Sequence, residues 1–166
     1  MKYGVSITLA FLSVVGILFW SSCDKTTCEN VICSGNNTYC VSGQCVCVQG
    51  YEGPNCDTYS YEKYVGNYQV SENCTTTLNG NQNNQYNMYI SLGFSVDVVV
   101  INGFLGLGAI EATINNNDIY ISSQQIGATT VQGFGQYFPN QRQLRLEYSY
   151  TQGSQYAECT AILTKI

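Results

Sequence analysis

Nine cysteines in 166 residues, with no histidine anywhere, limit what this chain can fold into more than any other feature. Six of them (Cys28, Cys33, Cys40, Cys45, Cys47 and Cys56) crowd into "CENVICSGNNTYCVSGQCVCVQGYEGPNC", Cys74 and Cys159 lie far apart, and Cys23 precedes the cluster. Thiols at this density belong to an oxidising compartment, where they pair and staple chains too short to bury a core. Thirty residues are such a chain, and each covalent loop offsets the missing core by roughly 2–4 kcal/mol. A thiolate metal site is disfavoured, because C-x-C occurs once and no imidazole exists. Pairing six cysteines in the cluster and Cys74 with Cys159 leaves Cys23 as the odd one.

The N-terminus accounts for Cys23. In "MKYGVSITLAFLSVVGILFWSSC", Lys2 is followed by an apolar stretch from Val5 to Trp20. As a helix that stretch rises about 24 Å, short of the roughly 30 Å hydrocarbon core, so it reads as a signal peptide over residues 1–22. Ser21 and Ser22 before Cys23 resemble the lipobox of bacterial lipoproteins, with Trp20 where the usual pattern has an aliphatic residue. The resemblance implies cleavage before Cys23, a lipid on its thiol, and a cell-envelope location with the chain anchored in a membrane, the outer membrane first. The alternative is an ordinary signal peptide cut near Ser22, with Cys23 a spare thiol or half of another disulfide.

The cluster itself, residues 28–56, resembles an EGF-like module. Its last half, C-x-C-x2-G-Y-x-G-x2-C, carries the most specific signature, with Gly50, Tyr51 and Gly53 at the turns. Six cysteines allow fifteen connectivities. The resemblance implies Cys28 with Cys40, Cys33 with Cys45, and Cys47 with Cys56. No calcium is expected: "DKTT" precedes Cys28 and "VSGQ" follows Cys40 where calcium-binding members carry oxygen ligands.

Residues 23–27 and 57–62 read as linkers, and residues 63–166 as a β domain. "YVGNYQVSENC" alternates Tyr64, Gly66, Tyr68 and Val70; "QYNMYISLG" alternates Tyr86, Met88 and Ile90; "DIYISS" carries Ile119 and Ile121; "LRLEYSY" sets Leu144, Leu146, Tyr148 and Tyr150 against Arg145, Glu147 and Ser149. Asn-, Gly- and Pro-containing turns separate them. The expectation is mainly β: about eight antiparallel strands closed into a barrel, or folded as a sandwich. Only "FLGLGAIEA" has room for a short helical turn. Cys74 near the end of the first strand and Cys159 in the last imply that the two ends of the domain lie side by side. "YVGNYQV" weakly resembles the first strand of lipocalin-like barrels, Tyr68 replacing their Trp, and the whole chain resembles small lipoproteins of the Bacteroidota; neither resemblance carries an activity.

Composition removes several functions. Six Lys or Arg against eleven Asp or Glu, a net charge of −5 and no basic run leave no footprint for nucleic acid. Without histidine, every Ser-His or Cys-His arrangement is excluded. Asp97, Glu111, Glu147 and Glu158 remain as acids that could pair, but isolated acids on alternating strands are ordinarily the wet face, so no catalytic site, metal or cofactor is expected. "GFLGLG" at 103–108 follows no βαβ pattern and is no nucleotide fingerprint. Asn36 and Asn73 begin Asn-x-Thr sequons, which matter only in a eukaryotic source. Fourteen tyrosines remain. Tyr86, Tyr89, Tyr120, Tyr137, Tyr148, Tyr150 and Tyr156 are either core filler or the lining of a binding site. Two functions stay open: a lipid-anchored, non-catalytic interaction module contacting protein or glycan, and a lipocalin-like carrier of a small apolar ligand. A cavity lined by inward tyrosines marks the carrier, and a filled core with outward aromatics marks the module.

Overall fold

The computed structural model describes residues 28–166. The expected signal peptide at 1–22, the expected linker at 23–27 and the expected lipidation at Cys23 lie outside the described residues. The N-terminal unit starts with a 3-10 turn at Cys28–Asn30, followed by the hairpin β1 (Thr38–Val41) and β2 (Gln44–Cys47) and the short pair β3 (Tyr51–Glu52) and β4 (Thr58–Tyr59). Ser42 and Gly43 join β1 to β2 with φ of 51° and 80°, the positive values that a two-residue hairpin turn requires. Disulfides join Cys28 with Cys40, Cys33 with Cys45, and Cys47 with Cys56, the pairing that the resemblance implied.

The rest is a closed, antiparallel, eight-stranded barrel: β5 (Gly66–Thr76), β6 (Gly80–Leu92), β7 (Val98–Asn102), β8 (Ile110–Asn115), β9 (Asp118–Ile126), β10 (Thr129–Phe138), β11 (Gln143–Gln152) and β12 (Gln155–Lys165). Each strand pairs with its neighbours in sequence, and β12 pairs with β5 from Ala157↔Thr76 to Lys165↔Tyr68. Closure leaves no free edge and decides between barrel and sandwich. The expected helical turn in "FLGLGAIEA" is one 3-10 turn, Phe104–Gly106, in the β7–β8 loop.

Period-two alternation turns one set of side chains inward. Tyr68 and Val70, Met88 and Ile90, Ile119 and Ile121, and Leu144 and Leu146 are all buried in one core that every barrel strand feeds. At the end where β5 begins, a 3-10 turn at Ser60–Lys63 and the buried Tyr64 lie under the barrel. The Tyr64 hydroxyl donates to the carbonyls of Asn116 (3.1 Å) and Asp118 (3.3 Å), and the Tyr68 hydroxyl to the carbonyl of Tyr64 (2.6 Å). At the opposite end Phe104 is fully buried, its ring centroid 4.6 Å from that of Tyr148.

The two units touch. Lys63 bonds the carboxylate of Glu52 and the side-chain oxygen of Asn117, the latter at 2.9 Å. Ser60 N–H donates to the Gly50 carbonyl at 2.9 Å. Gly50, at φ 90°, packs so closely on the β6–β7 loop that a Cβ there would fall 2.7 Å from Val96 Cγ2 and 3.0 Å from its carbonyl carbon. Any side chain would strain the backbone and push the units apart.

Cys74 and Cys159 are bonded, directly opposite each other on the closing strands, with Cα atoms 4.1 Å apart. The bridge spans 85 residues, which the chain-entropy model values at about 4–5 kcal/mol. Replacing both cysteines by alanine in the full chain is expected to lower the melting temperature by about 10 °C or more, with the three N-terminal bridges retained on non-reducing peptide mapping. An unchanged melting temperature would show that strand pairing alone holds the closure.

Candidate functional site on the outer wall of the barrel

The seven tyrosines divide by direction. Tyr137 and Tyr148 point inward and are buried, Tyr86 and Tyr150 are half-buried against the same core, and Tyr89, Tyr120 and Tyr156 face out and are exposed. The inward phenols serve as core and structural donors. Burial pushes the Tyr148 hydroxyl well above its ordinary pKa, its hydrogen bond to Glu72 and that carboxylate's charge adding to the effect. Burial likewise raises Tyr64, Tyr68 and Tyr137. These hydroxyls stay protonated, and those of Tyr64, Tyr68 and Tyr148 keep donating.

The acceptor of Tyr148 and Tyr86, Glu72, is not among the acids that the sequence points to. It faces the lumen from β5 and is 3% exposed. One carboxylate oxygen accepts from the Tyr148 hydroxyl and, at 2.7 Å, from that of Tyr86; the other accepts from Asn84 Nδ2 at 3.0 Å. The bonded Cys74 Sγ lies 3.4 Å from that second oxygen. Among the described residues no lysine or arginine lies within ion-pair distance of it. Three neutral donors therefore satisfy this buried carboxyl group in place of a cation. The signal was present: Tyr68, Val70, Glu72 and Cys74 share one alternating face.

The four acids that were considered do not form one site. Asp97 accepts from the Ser95 hydroxyl in the β6–β7 turn, and its carbonyl accepts from Ile114 N–H at 2.8 Å, so it braces a loop. Glu111 sits on β8, where the backbone ladder to β9 has only three registered pairs. The Gln124 amide replaces the missing ladder there, its Oε1 accepting from Glu111 N–H (3.1 Å) and its Nε2 donating to the Glu111 carbonyl (2.7 Å). Glu147 and Glu158 do come together, on the outer wall.

That wall carries a groove of about 780 Å³, lined mainly by outward residues of five adjacent strands, β9 through β12 and β5, with Ile121, Tyr148 and Cys159 reaching it from the core side. Strand register places Tyr120, Phe134, Glu147, Thr160 and Asn73 side by side in one rank across those strands. Gln132, Ser149, Glu158 and Thr75 form the next rank. Tyr120 and Phe134, at 47% and 53% exposure, form a cross-strand aromatic pair at one side. Tyr156 stands at the other, donating to Glu158 Oε1 at 3.0 Å. A bulge in β9 sets Ser122 and Ser123 against the single residue Gln132 and delivers two hydroxyls to the rim. A second concavity of about 410 Å³ shares Tyr120, Phe134 and Glu147 and extends the groove to Phe138 and Arg145, whose guanidinium lies 4.6 Å from the Phe138 ring centroid. Phe134 and the bulge serines were not singled out in the sequence, since which outward residues meet depends on register.

No model of a known protein family matches the chain, and no curated protein does.

The Glu72 network separates two substitutions. Glu72→Ala strands Tyr148, the most buried of the three donors, and is expected to cost about 2–4 kcal/mol in urea unfolding, while Glu72→Gln, which keeps an acceptor oxygen, costs about 1 kcal/mol less. A Glu72→Ala protein as stable as the parent would remove the network from the account.

Proposed function

We propose that this chain is a lipid-anchored cell-envelope protein that binds rather than catalyses, with an EGF-like module at its membrane-proximal end presenting the barrel. The observation that carries the proposal is the direction of the aromatic side chains. The inward ones are consumed in a filled core, while Tyr120, Phe134 and Tyr156 stand exposed around one groove. An eight-stranded barrel is consistent with a lipocalin-like binder, but a carrier needs its volume inside, and here the lumen is occupied by residues such as Ile90, Ile101 and Leu146, each at most 1% exposed. The outer groove supports surface binding instead. Attachment at Cys23 is the part of the proposal that rests on sequence alone, from Ser21, Ser22 and the odd cysteine. Several acyl chains at about 0.8 kcal/mol per buried CH₂ anchor stably where one does not.

Two variants, one single and one double, test the two halves. Cys23→Ser is expected to release the chain from membranes or leave it unprocessed, as read by fractionation and intact mass. Tyr120→Ser with Phe134→Ser is expected to keep membrane attachment but abolish retention of the solubilised protein on isolated envelope material. A Cys23→Ser protein that is processed and anchored like its parent contradicts the first half, and undiminished retention of the double variant contradicts the second.

A further inference from the structure

We infer that the outer groove is a saccharide site, taking a chain of neutral or amine-bearing sugars laid across the strands; this rests on the surface-binding reading above. Three properties of the wall point to that ligand chemistry and away from others.

The first is how apolar and polar groups are mixed. A sugar ring has an apolar C–H face and an edge of hydroxyls, so its site needs an aromatic platform beside hydrogen-bonding side chains. In the first rank the platform is the Tyr120–Phe134 pair, and Glu147, Thr160 and Asn73 follow it across the next three strands. Gln132, Ser149 and Glu158 line the neighbouring rank. A stable protein interface has the opposite plan, an apolar centre depleted of charge with a polar rim. Here two carboxylates occupy the middle and the aromatics stand at the margins.

The second is charge. The larger groove is lined by two glutamates and no lysine or arginine, and the adjoining concavity adds Asp118 and one cation, Arg145, so acids outnumber cations three to one over the whole site. Carboxylates accept from sugar hydroxyls or ammonium groups and repel sulfated, phosphorylated or uronic chains. A chain of net charge −5 adds to that repulsion.

The third is spacing. Neighbouring strands lie about 4.8 Å apart, close to the length of one pyranose residue in an extended glycan. The rank from Tyr120 to Asn73 covers four such steps, about 19 Å measured along the curved wall of the closed barrel, so a chain of five rings that bends with the wall meets the five strands in turn. The second concavity, sharing Tyr120, Phe134 and Glu147, prolongs the platform end. A site of this form reads several consecutive sugars, and its affinity grows with chain length until the rank is filled.

The test is calorimetric titration of the full exported chain with the dimer, trimer, tetramer and pentamer of cello-, chito- and chitosan-oligosaccharides, and with oligogalacturonate as the anionic counterpart. At least one neutral or amine-bearing series is expected to bind, with affinity rising at each step through the pentamer, the length that fills the five-strand rank, and oligogalacturonate is expected not to bind. Tyr120→Ala and Phe134→Ala should each weaken binding about tenfold, and Asn87→Ala, outward on β6 and away from the groove, should leave it unchanged. Both aromatics are outward and half exposed, so the variants are expected to fold; near-UV circular dichroism and four intact disulfides check this, and Gln132→Ala replaces either one that fails. No binding to any saccharide at millimolar concentration, equal binding of oligogalacturonate, or binding indifferent to both aromatic variants would overturn the inference. If groove-dependent envelope retention is lost after protease treatment of the envelope and no saccharide competes for it, the surface-binding reading survives with a protein ligand and the saccharide inference falls.

Discussion

The pairing of β12 with β5 is the interaction on which the rest of the structure depends. Before it forms, the β domain is a meander with two open edges; once it forms, the sheet has no edge and its side chains must divide into an inside and an outside. The Cys74–Cys159 bridge sits at that seam, facing inward, with Glu72 two residues away on the same face. Tyr148 reaches Glu72 from β11 and Tyr86 reaches it from β6, so one carboxylate ties the strands flanking the closure to β5. Covalent and hydrogen-bonded constraints thus converge where the chain has the longest loop to close.

Closure also sets where a ligand can be met. A barrel of eight strands has an interior just wide enough to be filled by side chains or to hold one small ligand. Here Tyr64 and the Ser60–Lys63 turn lie under one end, Phe104 packs into the other, and aliphatic residues from all strands occupy the space between. The proposed binding surface is therefore the wall, where a bulge in β9 and the register of β9 through β12 and β5 gather aromatic, amide, hydroxyl and carboxylate groups in one groove.

Much of the fold was legible in the sequence because it rests on short-range periodicity. The alternation in "LRLEYSY" put Leu144, Leu146, Tyr148 and Tyr150 on one face, and the structure turns that face inward. The positions of Cys74 and Cys159 implied adjacent domain ends, which strand closure then realised. Glu72 was equally legible, by the alternation that buried Tyr68 and Val70, but an acid between Ser71 and Asn73 invites assignment to solvent. What buries it is the donors Tyr148 and Tyr86, which lie 76 and 14 residues away and become neighbours only on closure. The groove was less legible still. Tyr120, Phe134, Glu147, Thr160 and Asn73 meet through four strand registers, and a one-residue slip in any of them would send that strand's contribution to the lumen.

The central claim, that this barrel binds on its wall and not in its lumen, is tested most directly by chemical-shift mapping of the protein titrated with the oligosaccharide that binds it best in the calorimetric series. Perturbations are expected at Tyr120, Phe134, Glu147 and Glu158 and their immediate neighbours, with the methyl signals of Met88, Ile90 and Ile101 unmoved. Saturable shifts centred on those three core methyls, with the outer rank silent, would contradict the account and return the ligand to the interior.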